Sequence, residues 1–370
     1  MAEKSERLLS IDVLRGFDMF FISGGASLIV ALCTALGCGD CALATQMRHV
    51  PWAGFAQHDT IFPLFLFLAG VSWPFSLASQ EAKGRGTGAI CRKILMRMLV
   101  LFFIEVSFGG LLKFKPDFRL MGVLSYIGLS WGVATLISLK VRKFAGRAAL
   151  VAGLLLAQWA LLRFGIAADA PLGADSYAKE WNLFSYLDRT VWPTHLYKSG
   201  VYDPESFFSL LGGVAMALTG VCSGSWLRCQ TVSPRRRAVV LALAALGFLV
   251  ADGVFVLLLG DQVVKALWSA SFVLSAATYS LALLALFYWL IDVKGWKRWT
   301  FYFKVIGMNS ILIYLMGRLG VTSTLGRFLF EGLAQWAGNP WSAVISAVGM
   351  LAAGWGVLYV MYRKNAFLRI

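Results

Sequence analysis

Charge is scarce in this sequence. Asp, Glu, Lys and Arg make up 14% of the 370 residues, against roughly a quarter in soluble domains. With 59% apolar residues and a mean hydropathy of +0.71, the chain is excluded from the water-soluble class. Histidine is also scarce: His49, His58 and His195 are the only three, so imidazole chemistry near neutral pH rests on them. No Ser-His-Asp order or nucleophile elbow is present, and His49, His58 and Asp59 fit no zinc spacing. The six cysteines are too scattered for a disulfide framework. Only Cys38-Gly-Asp-Cys41 is closely spaced, and without a second ligand pair it reads as a local disulfide or two free thiols. No polar stretch is long enough for a second domain, which leaves one membrane domain over 1–370.

Apolar runs near the length that crosses about 30 Å of hydrocarbon recur along the whole chain. They predict an all-α, polytopic membrane protein of about ten transmembrane helices. The expected spans are 12–36, 60–79, 94–112, 120–139, 146–164, 205–227, 238–260, 264–291, 301–320 and 342–362. The stretch 321–341 is too mixed to span and is expected at the interface or as a re-entrant segment. Met1 to Arg7 is charged, but the apolar stretch behind it carries Asp12, Arg15 and Asp18 and lacks a small-residue cleavage site. The first helix is therefore expected to be retained.

A net charge of +15 raises the question of nucleic acid. The cations do not gather on one face, however. They sit in alternate short loops: Lys83, Arg85, Arg92 and Lys93; Lys140, Arg142, Lys143 and Arg147; Arg228 and Arg235 to Arg237; Lys294, Lys297 and Arg298. This is the positive-inside pattern, so the expected partner is lipid and not nucleic acid. Lys4, Arg7, Arg363, Lys364 and Arg369 place both termini on the same, cytoplasmic side of a cell inner (plasma) membrane. The segment 165–204 then lies outside, rich in Trp, Tyr and acids. Its aromatic faces and carboxylates suit a saccharide, and Trp181 and Trp192 suit anchors at the interface.

That topology carries polar residues from distant parts of the chain to the outer ends of helices. His49, His58 and Asp59 precede the second span, Asp203 and Glu205 open the sixth, and Lys265 opens the eighth. Ionisable groups at a membrane need partners or water, so a shared polar cavity is expected. Simple solvation at the interface is the alternative for each residue taken alone. On the inner side, Asp12 and Arg15 share a helix face at i and i+3, with Asp18 a turn further. Pairing with each other and binding of an anionic ligand fit this stripe equally well. Asn309, inside the ninth span, is expected to bond a neighbouring helix, and Gly212-Gly213 to mark close helix packing.

Several segments together resemble a known family. Arg7-Leu-Leu-Ser-Ile-Asp-Val-Leu-Arg-Gly16, His49-Val-Pro-Trp52-Ala-Gly54 and Asp59-Thr-Ile-Phe-Pro63 are similar to motifs of the heparan-α-glucosaminide N-acetyltransferases and their bacterial homologues. So are Asp203-Pro-Glu205, Lys265-Ala-Leu-Trp268, Leu290-Ile-Asp292 and Gly307-Met-Asn309-Ser-Ile-Leu-Ile-Tyr314. The resemblance implies a membrane acyltransferase that takes an acetyl group from cytosolic acetyl-CoA to an amino sugar or glycan on the outer side. It implies His49 as general base, with Asp59 orienting it and His58 as rival or auxiliary. It implies acceptor contacts from Trp52, Asp203, Glu205, Lys265 and Trp268, and acetyl-CoA contacts from Asp12, Arg15 and Asn309. Lys265 would stabilise an oxyanion or pair with Asp203. A homodimer is also implied. The rival readings are a glycan O-acyltransferase and a secondary transporter of a sugar or organic anion; no internal repeat with paired broken helices favours the transporter.

Overall fold

The computed structural model describes residues 8–368, so Lys4, Arg7 and Arg369 of the orientation argument lie outside the described residues. Within them the chain forms α1 (Leu9–Phe20), α2 (Ala26–Ala35), α3 (Ala42–Gln46), α4 (Ile61–Glu81), α5 (Thr87–Phe108), α6 (Val123–Lys140), α7 (Phe144–Phe164) and α8 (Leu183–Val191). There follow α9 (Leu210–Leu227), α10 (Pro234–Leu257), α11 (Ala270–Tyr288), α12 (Phe301–Met308), α13 (Ser310–Arg318), α14 (Val321–Ala337) and α15 (Trp341–Arg363). No strand occurs among the described residues, only the isolated bridges Ala53–Val264 and Ile166–Asn182. The protein is an all-α, multi-pass membrane protein.

Among the described residues, eight helical stretches are long and apolar enough to cross a bilayer, the first running from Leu9 to Ala35 through a π-helical turn at Phe21–Gly25. Two of the expected spans differ. The third is α5, whose 22 residues reach about 33 Å at 1.5 Å per residue, but which carries Arg92, Lys93, Arg97 and Glu105. The ninth is not one helix. It bends by 63° between α12 and α13, at Asn309. The mixed stretch expected at 321–341 is α14, a 17-residue helix packed along α15.

Glycine decides where the helices touch. A Cβ on Gly16 would lie 1.8 Å from the Phe303 carbonyl oxygen, and one on Gly307 would lie 1.9 Å from that of Asp12. Helices α1 and α12 therefore meet backbone to backbone. Gly70 and Gly220 do the same for α4 and α9, with Cβ clashes of 2.2 and 2.1 Å against Ala217 and Phe67 carbonyls. Without a hydrophobic force between helices in lipid, such close approach supplies the van der Waals attraction that associates them. Gly212 and Gly213 fit the same reading, pressed against Trp268 and against Ser130 and Tyr126. Helix α9 is the centre of the bundle; α10 is the most exposed of the eight spans and faces lipid along most of its length. We call the end that bears the Lys/Arg loops inner and the end that bears His49 outer, since α4 runs from one to the other.

Candidate active site

Asp59 lies in the 3-10 turn Gln57–Thr60 that starts the second span, and its side chain is 1% exposed. A carboxylate so buried needs several donors. It has three: the His49 ring, Nδ1 to Oδ1 at 2.6 Å; the Val50 amide at 3.3 Å; and the Lys265 ammonium at 2.9 Å. The donors arrive from sequence positions more than two hundred residues apart because of the Ala53–Val264 bridge. There Gly54 N–H donates to the Val263 carbonyl at 2.8 Å, which sets the His49 loop against the Lys265 loop.

The Lys265 loop is itself fastened from below. Gln158 Nε2 donates to the carbonyls of Leu267 and Trp268 at 2.9 and 3.2 Å. Ser269 Oγ accepts from the Val264 amide at 3.0 Å, and Asp261 accepts from Ser271 N–H at 2.7 Å. Tyr177 O–H also donates to Asp261.

Hydrogen-bond chemistry fixes the tautomer of His49. Lys265 Nζ is 3.1 Å from Nδ1, but an ammonium only donates and the carboxylate only accepts, so Nδ1 cannot serve both. The shorter contact belongs to Asp59. Nδ1 therefore carries the hydrogen, and Lys265 bonds the same carboxylate oxygen. The Nε2 lone pair is left free on a side chain that is 57% exposed. The His58 ring lies 4.4 Å from that of His49, and its Nδ1 is buried with no hydrogen-bond partner. These two histidines, Lys265 and Glu205 form the polar rim of a cavity of about 190 Å³. Its walls are apolar, with Met19 and Ile22 from the first span, Phe62 and Phe65 from α4, and Ile127 from α6, and Tyr314 closes one side.

The remaining sequence-derived residues fall elsewhere. Asp203 does not pair with Lys265. It bonds Arg119, whose Nε lies 3.1 Å from Oδ2 and whose Nη2 binds both Asp203 and Glu205. Lys265 is taken by Asp59 because the bridge at Val264 holds it there. Burial works against the Arg119 guanidinium, yet the two carboxylates hold it above its ordinary value. Trp52 donates its indole N–H to the Tyr177 carbonyl at 2.9 Å and packs edge-on against Tyr202, so it ties down the outer segment. Trp268 is 1% exposed, stacks on Tyr126 at 4.6 Å and supports Phe62, which lines the cavity. His195 is likewise structural: its Nδ1 lies 2.6 Å from the Phe118 carbonyl.

At the inner half, Arg15 donates to Ser72 Oγ at 2.7 Å and pairs with Asp12 at 3.5 Å. Asn309 bonds no neighbouring helix. Its amide donates to the Ala366 carbonyl at 3.1 Å and accepts from Leu368 N–H at 2.9 Å, because the break in the span turns it toward the C-terminal tail. Three groups near the cavity escaped the sequence reading: Arg119, Glu105 and Arg318. Arg318 binds Glu105 at 2.9 Å and the Tyr314 hydroxyl at 3.1 Å. The available signal was a lone acid, Glu105, inside a hydrophobic run, since such a charge requires a partner.

No family model matches the chain. Two curated proteins do resemble it. It is 26% identical to the human heparan-α-glucosaminide N-acetyltransferase over 98% of this chain and 60% of that protein. It is 24% identical to the mouse protein of the same name over 87% of this chain and 56% of that one. The chain is similar to these acetyltransferases at low identity. It spans under two thirds of their length.

Proposed function

We propose that this chain is a membrane acetyltransferase, with His49 as general base and an amino sugar or glycan as acceptor on the outer side. Acetyl-CoA is the donor substrate in this reading, taken from the cytosol, and both termini are cytoplasmic in an inner (plasma) membrane. The observation that carries it is the His49–Asp59–Lys265 arrangement at the mouth of the cavity. It leaves an imidazole nitrogen free to accept a proton and places a buried carboxylate behind it. That is the orienting logic of a catalytic triad.

The acceptor amine attacks the thioester carbonyl as His49 Nε2 takes its proton. The tetrahedral intermediate collapses, the C–S bond breaks, and the imidazolium returns the proton to the departing thiolate. Asp59 stabilises the imidazolium, and Lys265 keeps Asp59 ionised. The apolar cavity walls suit a pantetheine arm. At the inner half a second cavity of about 330 Å³, lined by Gln80, Lys93, Arg97 and Trp131, suits an anionic headgroup, with Arg15 on the same side of the bundle. General-base help of this kind contributes roughly a hundred- to ten-thousandfold.

The test uses detergent-purified protein with radiolabelled acetyl-CoA and glucosamine. Label on the sugar amine, lost in His49→Ala and kept in His58→Ala, supports the reading. No transfer to any amino sugar or glycan in a panel, with no binding of acetyl-CoA, overturns it.

A further inference from the structure

The short run that precedes His49 holds a second constellation. Cys33, Cys38 and Cys41 carry sulfur atoms that all lie within 4.8 Å of one another, and all three are free thiols. Only the last two are close in sequence. Cys33 joins them through the way α2 ends. Gly37, with φ of 78°, takes the left-handed position after the helix. The Cys38 amide donates back to the Cys33 carbonyl at 2.8 Å, and the Gly37 amide to that of Thr34 at 3.0 Å. This pair of bonds is the Schellman helix stop, which brings the side chain five residues on back over the helix. Here the two residues that meet are both cysteines. A tight turn then returns the chain: Cys41 N–H donates to the Cys38 carbonyl at 3.0 Å.

We propose that Cys33, Cys38 and Cys41 form a three-thiolate site for a soft monovalent metal ion, Cu(I). Thiolates select soft d10 ions. Metal–sulfur bonds of about 2.3 Å around a trigonal ion put the sulfurs about 4 Å apart, so little contraction is needed. A closed structural Zn(II) site takes four protein ligands, and among the described residues the cluster offers three.

The loop that carries the thiols is braced and open on one side. Arg48 bridges the loop, with Nη1 3.2 Å from Asp40 and Nη2 3.0 Å from the Gly39 carbonyl. Cys38 is exposed and gives an entry path, while Cys33 is buried and fixes the base.

Binding joins three sulfurs to one metal and releases the protons still on the thiols. The test is an anaerobic titration of the reduced full chain with Cu(I) against bicinchoninate, with no acetyl transfer in the readout. One equivalent held by wild type is expected. Cys38→Ser should weaken retention at least tenfold, and Cys91→Ser and Cys229→Ser should leave it unchanged. Thermal melting of each metal-free variant controls for folding. X-ray absorption should show three sulfur neighbours. No copper retained by the reduced protein, retention that survives Cys33, Cys38 and Cys41 all replaced by Ser, or tighter binding of Zn(II) than Cu(I) would each overturn the proposal.

Discussion

The two halves of the bundle handle charge in opposite ways. At the outer end four buried carboxylates have a cation: Asp59 has Lys265, Asp203 and Glu205 share Arg119, and Glu105 has Arg318. At the inner half, Arg97 lies over the Trp131 ring at 4.4 Å with its Nε buried and lacking a hydrogen-bond acceptor, and Lys93 lines the same cavity. The outer end sets these acids and bases against one another and leaves His49 Nε2 free at the cavity mouth. The inner half carries cations in excess. Pairing suits chemistry on a neutral or transiently charged group, and excess suits the reception of an anion.

The largest break in that comparison comes from the free nitrogen. His49→Ala should cost about a hundred- to ten-thousandfold in acetyl transfer, with little change in melting temperature, because the side chain is half exposed. A variant that melts much lower would make His49 a structural residue instead. Next is Arg119→Ala, which strands two buried carboxylates. Losses of about 3–5 kcal/mol are usual when a buried pair loses one partner, read as a clear fall in thermal stability; an unchanged melt would show that the outer end tolerates unmatched charge. Gly307→Ala forces apart α1 and α12 and should cost about 1–3 kcal/mol, the usual range for overpacking, measured the same way.

The smallest effect should come with pH. Burial pushes the Asp188 carboxyl up to about 7, against the pull of the Ser206 hydroxyl. Its folded value is above its unfolded one, so the folded state binds the extra proton. Stability contributed by the protonated form is present below about pH 4 and is lost as pH rises toward 7. Asp188→Asn should flatten that slope and raise the melting temperature at pH 8 relative to wild type.

Most of the span pattern was legible because hydrophobic length and loop charge are written locally. Helices α4, α6, α7, α9 and α15 lie within a few residues of their expected bounds. The break at Asn309 was not, since it depends on bonds to a tail almost sixty residues away. His49, Asp59 and Lys265 were legible as outer-end polar residues, but their mutual bonding depended on the Ala53–Val264 bridge, which has no local signature. Arg119 was missed because one cation among several in a short outer loop looks like solvated surface until Asp203 and Glu205 are placed beside it. Cys33 was separated from its two neighbours by the helix end that in fact joins them.

The glycine contacts have a mechanical consequence. Where Gly16 meets Phe303 and Gly220 meets Phe67, backbones touch with no side chain between them, so there is no compliant layer along which one helix could slide past the other. A carrier that exposes its cargo to each side in turn needs such a layer between its moving halves. These four helices instead make a stationary partition. In the acetyl transfer proposed above, what crosses such a partition is a small group handed along the cavity, and the work of moving it falls to bond exchange and not to the scaffold.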